Sequence, residues 1–151
     1  MKWAILVVVA MAFGLSAGAQ TGGKSDLFSA DQIKTLASQA LASGNGGKTL
    51  ADYGSHRVQI SVRTTSGGAE IHGHFDDVMI VEQGTATLIT GGSIPDAKAG
   101  ADGETRGASI QGGQSRTISA GDIVTVNAGV PHQLIVPAGT TYAAVVVKIK
   151  E

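Results

Sequence analysis

Residues 66–84 read SGGAEIHGHFDDVMIVEQG, and residues 121–136 read GDIVTVNAGVPHQLIV. In the first, Gly67-Gly68 turns the chain into a short strand expected over Ala69–His74. Side chains two apart on a strand point to the same side, so His72 and His74 would present their imidazoles together. Two imidazoles on one face are two-thirds of a facial metal triad. Asp77, three residues later, adds a hard oxygen ligand within reach. H-x-H alone is a weak signal for metal. The second stretch holds His132 directly after Pro131, entering a strand on which Leu134 and Val136 share its face.

Outward from these segments the pattern is one of short alternating runs. His56, Val58, Ile60 and Val62 share one face of a strand, and Arg57, Gln59, Ser61 and Arg63 the other. Further strands are expected at Val78–Val81, Thr85–Thr90, Arg116–Ile118, Ile123–Val126, Val130–Val136 and Thr141–Ile149, with Gly-containing turns between several of them. Gly91–Gln114 has almost no apolar content and reads as a surface excursion. One helix is expected, from about residue 30 to 42. Ser29 and Gln32 have the form of a capping box, Ile33, Leu36, Ala37, Ala40 and Leu41 recur at helical spacing, and Gly44 stops the run. One short helix followed by about eight short strands, with no β-α-β alternation, makes a β-barrel or β-sandwich.

The chain has 151 residues, the usual size of one domain. Hydrophobic residues make 42% and charged residues 15%, which excludes a disordered or highly solvated chain. Glycine is abundant, 22 residues, and without a G-x-y period it means tight turns rather than collagen. Eleven basic against twelve acidic residues, with no basic block, argue against nucleic acid as a partner. Cysteine is absent, which removes disulfides, thiol catalysis and thiolate metal sites. At the N-terminus, MKWAILVVVAMAFGLSAGAQ has a charged start, an apolar run over Trp3–Leu15 and small residues ending at Ala19. That is the plan of a secretory signal peptide over 1–19, and the apolar run is short of the roughly 20 residues of a membrane span. The expected organisation is a signal peptide at 1–19, a leader and amphipathic helix at 20–57, and a barrel at 58–151. The expected location is outside the cytoplasm, periplasmic or extracellular, with no membrane attachment after cleavage.

Together the two quoted segments resemble the cupin superfamily. Its first motif runs G-x5-H-x-H-x(3 or 4)-E-x6-G and its second G-x5-P-x-G-x2-H-x3-N. The resemblance implies an all-β fold, a single cupin barrel (double-stranded β-helix or jelly roll), with one short N-terminal helix ahead of it. It implies metal ligation by His72, His74, Asp77 and His132. Asp77 takes the acidic position because six residues separate it from Gly84. This chain departs from the pattern in several places. The acid is Asp rather than Glu, only two residues part it from His74, and Asn127 and Val136 replace the usual proline and asparagine. Asp76 is therefore a rival ligand, and a three-histidine shell is the remaining alternative.

Imidazole with carboxylate suits a divalent transition metal, Mn, Fe, Ni, Zn or Cu. The competing reading is a hydrogen-bonded polar cluster at the barrel mouth, but a buried histidine trio with neither metal nor partners carries an uncompensated desolvation cost. Glu70 shares a face with the histidine pair and reads either as a carboxylate orienting an imidazole or as a solvated strand-end acid. His56 reads as a strand-end residue, and Phe75, Met79 and Ile89 as barrel filling. The family hosts many activities. The resemblance implies a metal-dependent enzyme (dioxygenase, isomerase, decarboxylase or lyase type) on a small oxygenated molecule. The alternative is a non-catalytic module binding a small sugar or carboxylate in the same pocket, with Arg57, Arg63 or Arg116 neutralising an acidic ligand. Family members commonly pair, so a homodimer is compatible with it.

Overall fold

The computed structural model describes residues 25–44 and 46–151. The expected signal peptide at 1–19 and the first part of the leader lie outside the described residues. Helix α1 spans Ala30–Ala42, as its periodicity predicts, and begins with a complete capping box. The Gln32 amide donates to Ser29 Oγ at 3.3 Å and the Ser29 amide to Gln32 Oε1 at 2.9 Å, so two of the helix's orphan donors are satisfied reciprocally. Among the described residues no helix is long and apolar enough to cross a membrane.

Eleven strands follow: β1 (Gly47–Asp52), β2 (His56–Arg63), β3 (Ala69–His72), β4 (Phe75–Gln83), β5 (Thr85–Thr90), β6 (Lys98–Ala99), β7 (Glu104–Gly107), β8 (Gln114–Ser119), β9 (Ile123–Val126), β10 (His132–Ile135) and β11 (Tyr142–Lys150). They form two antiparallel sheets, in the orders β1-β2-β11-β4-β9 and β6-β7-β3-β10-β5-β8. The sheet includes β1, which lies in the stretch the sequence reading assigns to leader and helix. Strand alternation sorts the side chains. Met79 and Val81 of β4, Tyr142, Ala144 and Val146 of β11, and Val126 of β9 meet Ala86, Leu88, Ile118 and Val136 in one buried core between the sheets. Met79 fills the barrel as expected. Ile89 does not, because its strand neighbours Ala86 and Leu88 point inward and leave it on the other face of β5. Phe75 is only partly buried, under the guanidinium of Arg57 at 4.4 Å.

A second, smaller core lies outside the barrel. Ile60, Val62 and Ala143 pack with Ala40, and Ile33, Leu36 and Ala37 of α1 complete it. The apolar stripe of α1 thus covers the outward face of β2, which explains why that strand is apolar on the side facing away from the barrel. Gly84 closes the β4–β5 turn at φ 76°, and a Cβ there would stand 2.2 Å from the Thr141 carbonyl oxygen.

Candidate metal centre

The inward faces of four strands change character towards one end of the barrel. On β4 the series Val81, Met79 continues to Asp77, and on β11 the series Tyr142, Ala144, Val146 continues to Lys148. On β10 it is His132 that precedes Leu134, and β3 supplies Glu70 and His72. Register holds these together: His132 pairs with Glu70, and Lys148 with Asp77. His72, His132 and Asp77 are all about 95% buried, at 5%, 4% and 5% exposure.

Donor atoms converge on a common point. One ligand atom each from Glu70, His72 and His132 lie within 4.8 Å of one another. Glu70 Oε1 is 3.5 Å from His132 Nε2 and 3.9 Å from His72 Nε2. Asp77 Oδ2 approaches the same two nitrogens, at 3.4 Å from His72 Nε2 and 4.0 Å from His132 Nε2. The imidazole rings are 5.1 Å apart and tilted by 55°. Adjacent ligands on an ion with bonds of about 2.1 Å stand roughly 3.0–3.4 Å apart, so these donors, within 4.8 Å of one another, would draw together on binding one ion.

The far side of each imidazole is fixed by an acceptor. His72 Nδ1 faces both Glu104 carboxylate oxygens, at 2.7 and 2.9 Å. His132 Nδ1 faces the Val130 carbonyl oxygen at 3.1 Å. These partners can only accept, so a hydrogen on Nδ1 of each neutral ring would satisfy them and turn the Nε2 lone pair to the site. The outer carboxylate oxygens are neutralised as well. Arg106 donates to Glu70 Oε2 and, at 3.0 Å, to Glu104 Oε2; Lys148 Nζ donates to Asp77 Oδ1 at 2.5 Å. Two imidazoles and two carboxylates, whose inner atoms face one another and whose outer atoms are satisfied elsewhere, have the chemistry of a divalent transition-metal donor set.

Electrostatics follow the same geometry. Burial disfavours the ionised Glu70 carboxyl, but His132, Arg106 and His72 outweigh it and hold its pKa down to about 2. Burial likewise opposes the Asp77 carboxylate, and His72 and Lys148 overcome it, lowering its pKa. For His72, burial and Lys148 work against the imidazolium, while Asp77 and Glu104 prevail and raise its pKa.

Of the residues expected from sequence, His72, Asp77 and His132 come together and His74 does not. The strand ends at His72, and Gly73 and His74 form a turn that leaves His74 exposed. The Gly73 amide donates to the Gly103 carbonyl at 3.1 Å, and a Cβ at Gly73 would meet that oxygen at 2.8 Å. Glu70, two residues before His72 on the same strand face, stands where His74 was expected. Asp76 points the other way and accepts from the Ala128 amide at 2.6 Å. His56 stacks on Tyr53 at 4.8 Å, and Arg57 lies over Phe75, 3.9 Å from Asp52. Sequence reasoning missed Glu104, Arg106 and Lys148. Lys148 had a signal, its alternation with Val146 and Ala144. The other two had none, since they lie in the apolar-poor stretch 91–114.

No family model matches the chain, and no curated protein does. Among solved structures, BH2720 from Bacillus halodurans is similar with a TM-score of 0.57 at 13% identity, over 77% of this chain and 78% of that one. A Klebsiella pneumoniae protein with a double-stranded β-helix domain gives 0.51 at 16% identity, over 68% and 74%. The DMSP lyase DddQ from Ruegeria pomeroyi DSS-3 gives 0.51 at 14% identity, over 70% of this chain and 47% of the lyase. At these identities the likeness is one of fold, and the fold is a double-stranded β-helix barrel.

Proposed function

We propose that the protein is an exported metal-dependent enzyme whose barrel holds one divalent transition metal through Glu70, His72 and His132, with Asp77 beside them. The observation that supports this reading is the convergence of the three donor atoms within 4.8 Å, both imidazoles presenting Nε2. Two histidines and one carboxylate with open positions are a donor set used for oxygen activation and Lewis-acid catalysis. When bound, the metal would supply that chemistry to a small oxygenated substrate.

The chain's own residues define the rest. Glu104 and the Val130 carbonyl orient the two imidazoles. Arg106 and Lys148 balance the carboxylates, so that the cluster tolerates burial. Asp77 Oδ2 is a further inward-facing oxygen, 3.4 Å from His72 Nε2.

The test is reconstitution of the full chain with Mn, Fe, Ni, Zn or Cu, followed by turnover of a panel of small oxygenated acids and sugars. Metal uptake with metal-dependent turnover supports the proposal. Metal uptake with ligand binding and no turnover replaces it with a binding module in the same pocket. A chain that takes up none of these metals contradicts the enzyme and leaves a barrel that binds its ligand without one.

A further inference from the structure

The stretch 91–114 looks featureless in sequence, yet it is folded back against the histidines. Strand β7 pairs with β3 in a register that sets Glu104 opposite His72 and Arg106 opposite Glu70. Both inward-facing β3 residues therefore have a β7 side chain across from them. Their contacts are specific. Glu104 grips His72 Nδ1 with both oxygens, and Arg106 joins the Glu70 and Glu104 carboxylates through its two terminal nitrogens.

The stretch is anchored independently of these side chains. Gln133, next to His132 on β10 and only 5% exposed, donates from Nε2 to the Ala108 carbonyl at 3.2 Å and to the Gly67 carbonyl at 2.9 Å. Its Oε1 accepts from the Ile110 amide at 3.2 Å. On the other side, the Gly73–Gly103 hydrogen bond ties the turn before β7 to the turn after β3. A buried amide spending its hydrogen bonds on a loop holds that loop in place.

We infer that β7 is the positioning element of the metal centre: Glu104 is the residue that makes His72 present Nε2, and Arg106 locks Glu104 and Glu70 into one plate. This rests on the metal-binding reading for its effect on affinity, but not for its effect on the ring itself. A carboxylate can only accept, so it selects the Nδ1–H tautomer and makes Nε2 more electron-rich. Without Glu104, Nδ1 would lose its acceptor and the ring would be free to carry its hydrogen on either nitrogen.

The experiment uses the full chain, ¹⁵N-labelled, as wild type, E104A and E104Q. Imidazole nitrogen spectra of the metal-free proteins, followed with rising pH until the His72 ring is neutral, report its tautomer. Zinc affinity is read by competition with a chelator. The expected result is Nδ1–H in the wild type, a mixture in E104A, and retention in E104Q, whose amide keeps one acceptor oxygen. Zinc affinity should fall about 10–100-fold in E104A and by less in E104Q. Wild-type His72 with its hydrogen on Nε2, or an unchanged tautomer in E104A, overturns the inference. If E104A does not fold, the wild-type spectrum still decides the inference, and a His72 hydrogen on Nε2 there overturns it. If the wild type binds no zinc, the proposed function fails, while the tautomer spectra still decide the role of Glu104.

Discussion

Replacing Lys148 by Met removes the ammonium that faces Asp77 at the polar end of the barrel. Lys148 Nζ lies 2.5 Å from Asp77 Oδ1, with side chains 14% and 7% exposed. Removing one partner of a buried ion pair costs about 3–5 kcal/mol, because the other charge stays buried without compensation. Two features reduce that here. Lys148 keeps some exposure, and Asp77 retains His72 at 3.4 Å. The expected cost of K148M is therefore roughly 2–3 kcal/mol. At about 2–4 °C per kcal/mol for a domain of this size, the metal-free variant should melt about 4–12 °C below wild type. The double variant D77N/K148M removes both charges and should be more stable than the sum of the single effects predicts, by about 2 kcal/mol. Thermal and urea unfolding of the four proteins at neutral pH give the cycle. Additivity within about 0.5 kcal/mol would refute the reasoning, since it would mean the two groups do not sense each other.

The phenol of Tyr142 is fully buried, and its hydroxyl has no hydrogen-bond partner among the described residues; burial pushes its pKa up to about 12. Y142F should therefore gain about 1 kcal/mol in urea unfolding, and a loss of that size would show the hydroxyl to be paired. In the metal-free protein, Glu70 titrates near 2 when folded against an ordinary 4.5, a depressed value. Its contribution is present above pH 4.5 and disappears as the pH falls towards 2, so E70Q should flatten the acid limb of the stability–pH profile; an unchanged limb contradicts this. S29A removes the N-cap acceptor of α1 and should cost about 1 kcal/mol by the same unfolding measurement, with a null effect showing the cap to be idle.

Much of the fold was legible because local signals and tertiary packing agree. The Ser29–Gln32 box marks the start of α1, and its apolar stripe meets the apolar face of β2. Gly84 was readable from spacing, since only glycine suits its φ and its approach to Thr141. His72 and His74 do not share a strand face, for a definite reason. Side chains two apart share a face only while the strand continues, and here the strand stops at His72 because Gly73 bonds to Gly103, thirty residues away. A long-range contact of that kind leaves no local trace. One trace did exist in the spacing. Taking Glu70 and His72 as the paired positions puts four residues between His72 and Asp77, within the family pattern, whereas His74 leaves two. Glu104 and Arg106 were illegible, because a β7 of Glu-Thr-Arg-Gly has no apolar periodicity and is defined only by its pairing with β3.

Metal content of the reconstituted full chain, by elemental mass spectrometry, tests the centre most directly when measured on wild type, E70Q, H74A and H132A together. One divalent metal per wild-type chain, loss in E70Q and H132A, and full retention in H74A are expected. Loss in H74A with retention in E70Q, or no metal in the wild type, would contradict that expectation.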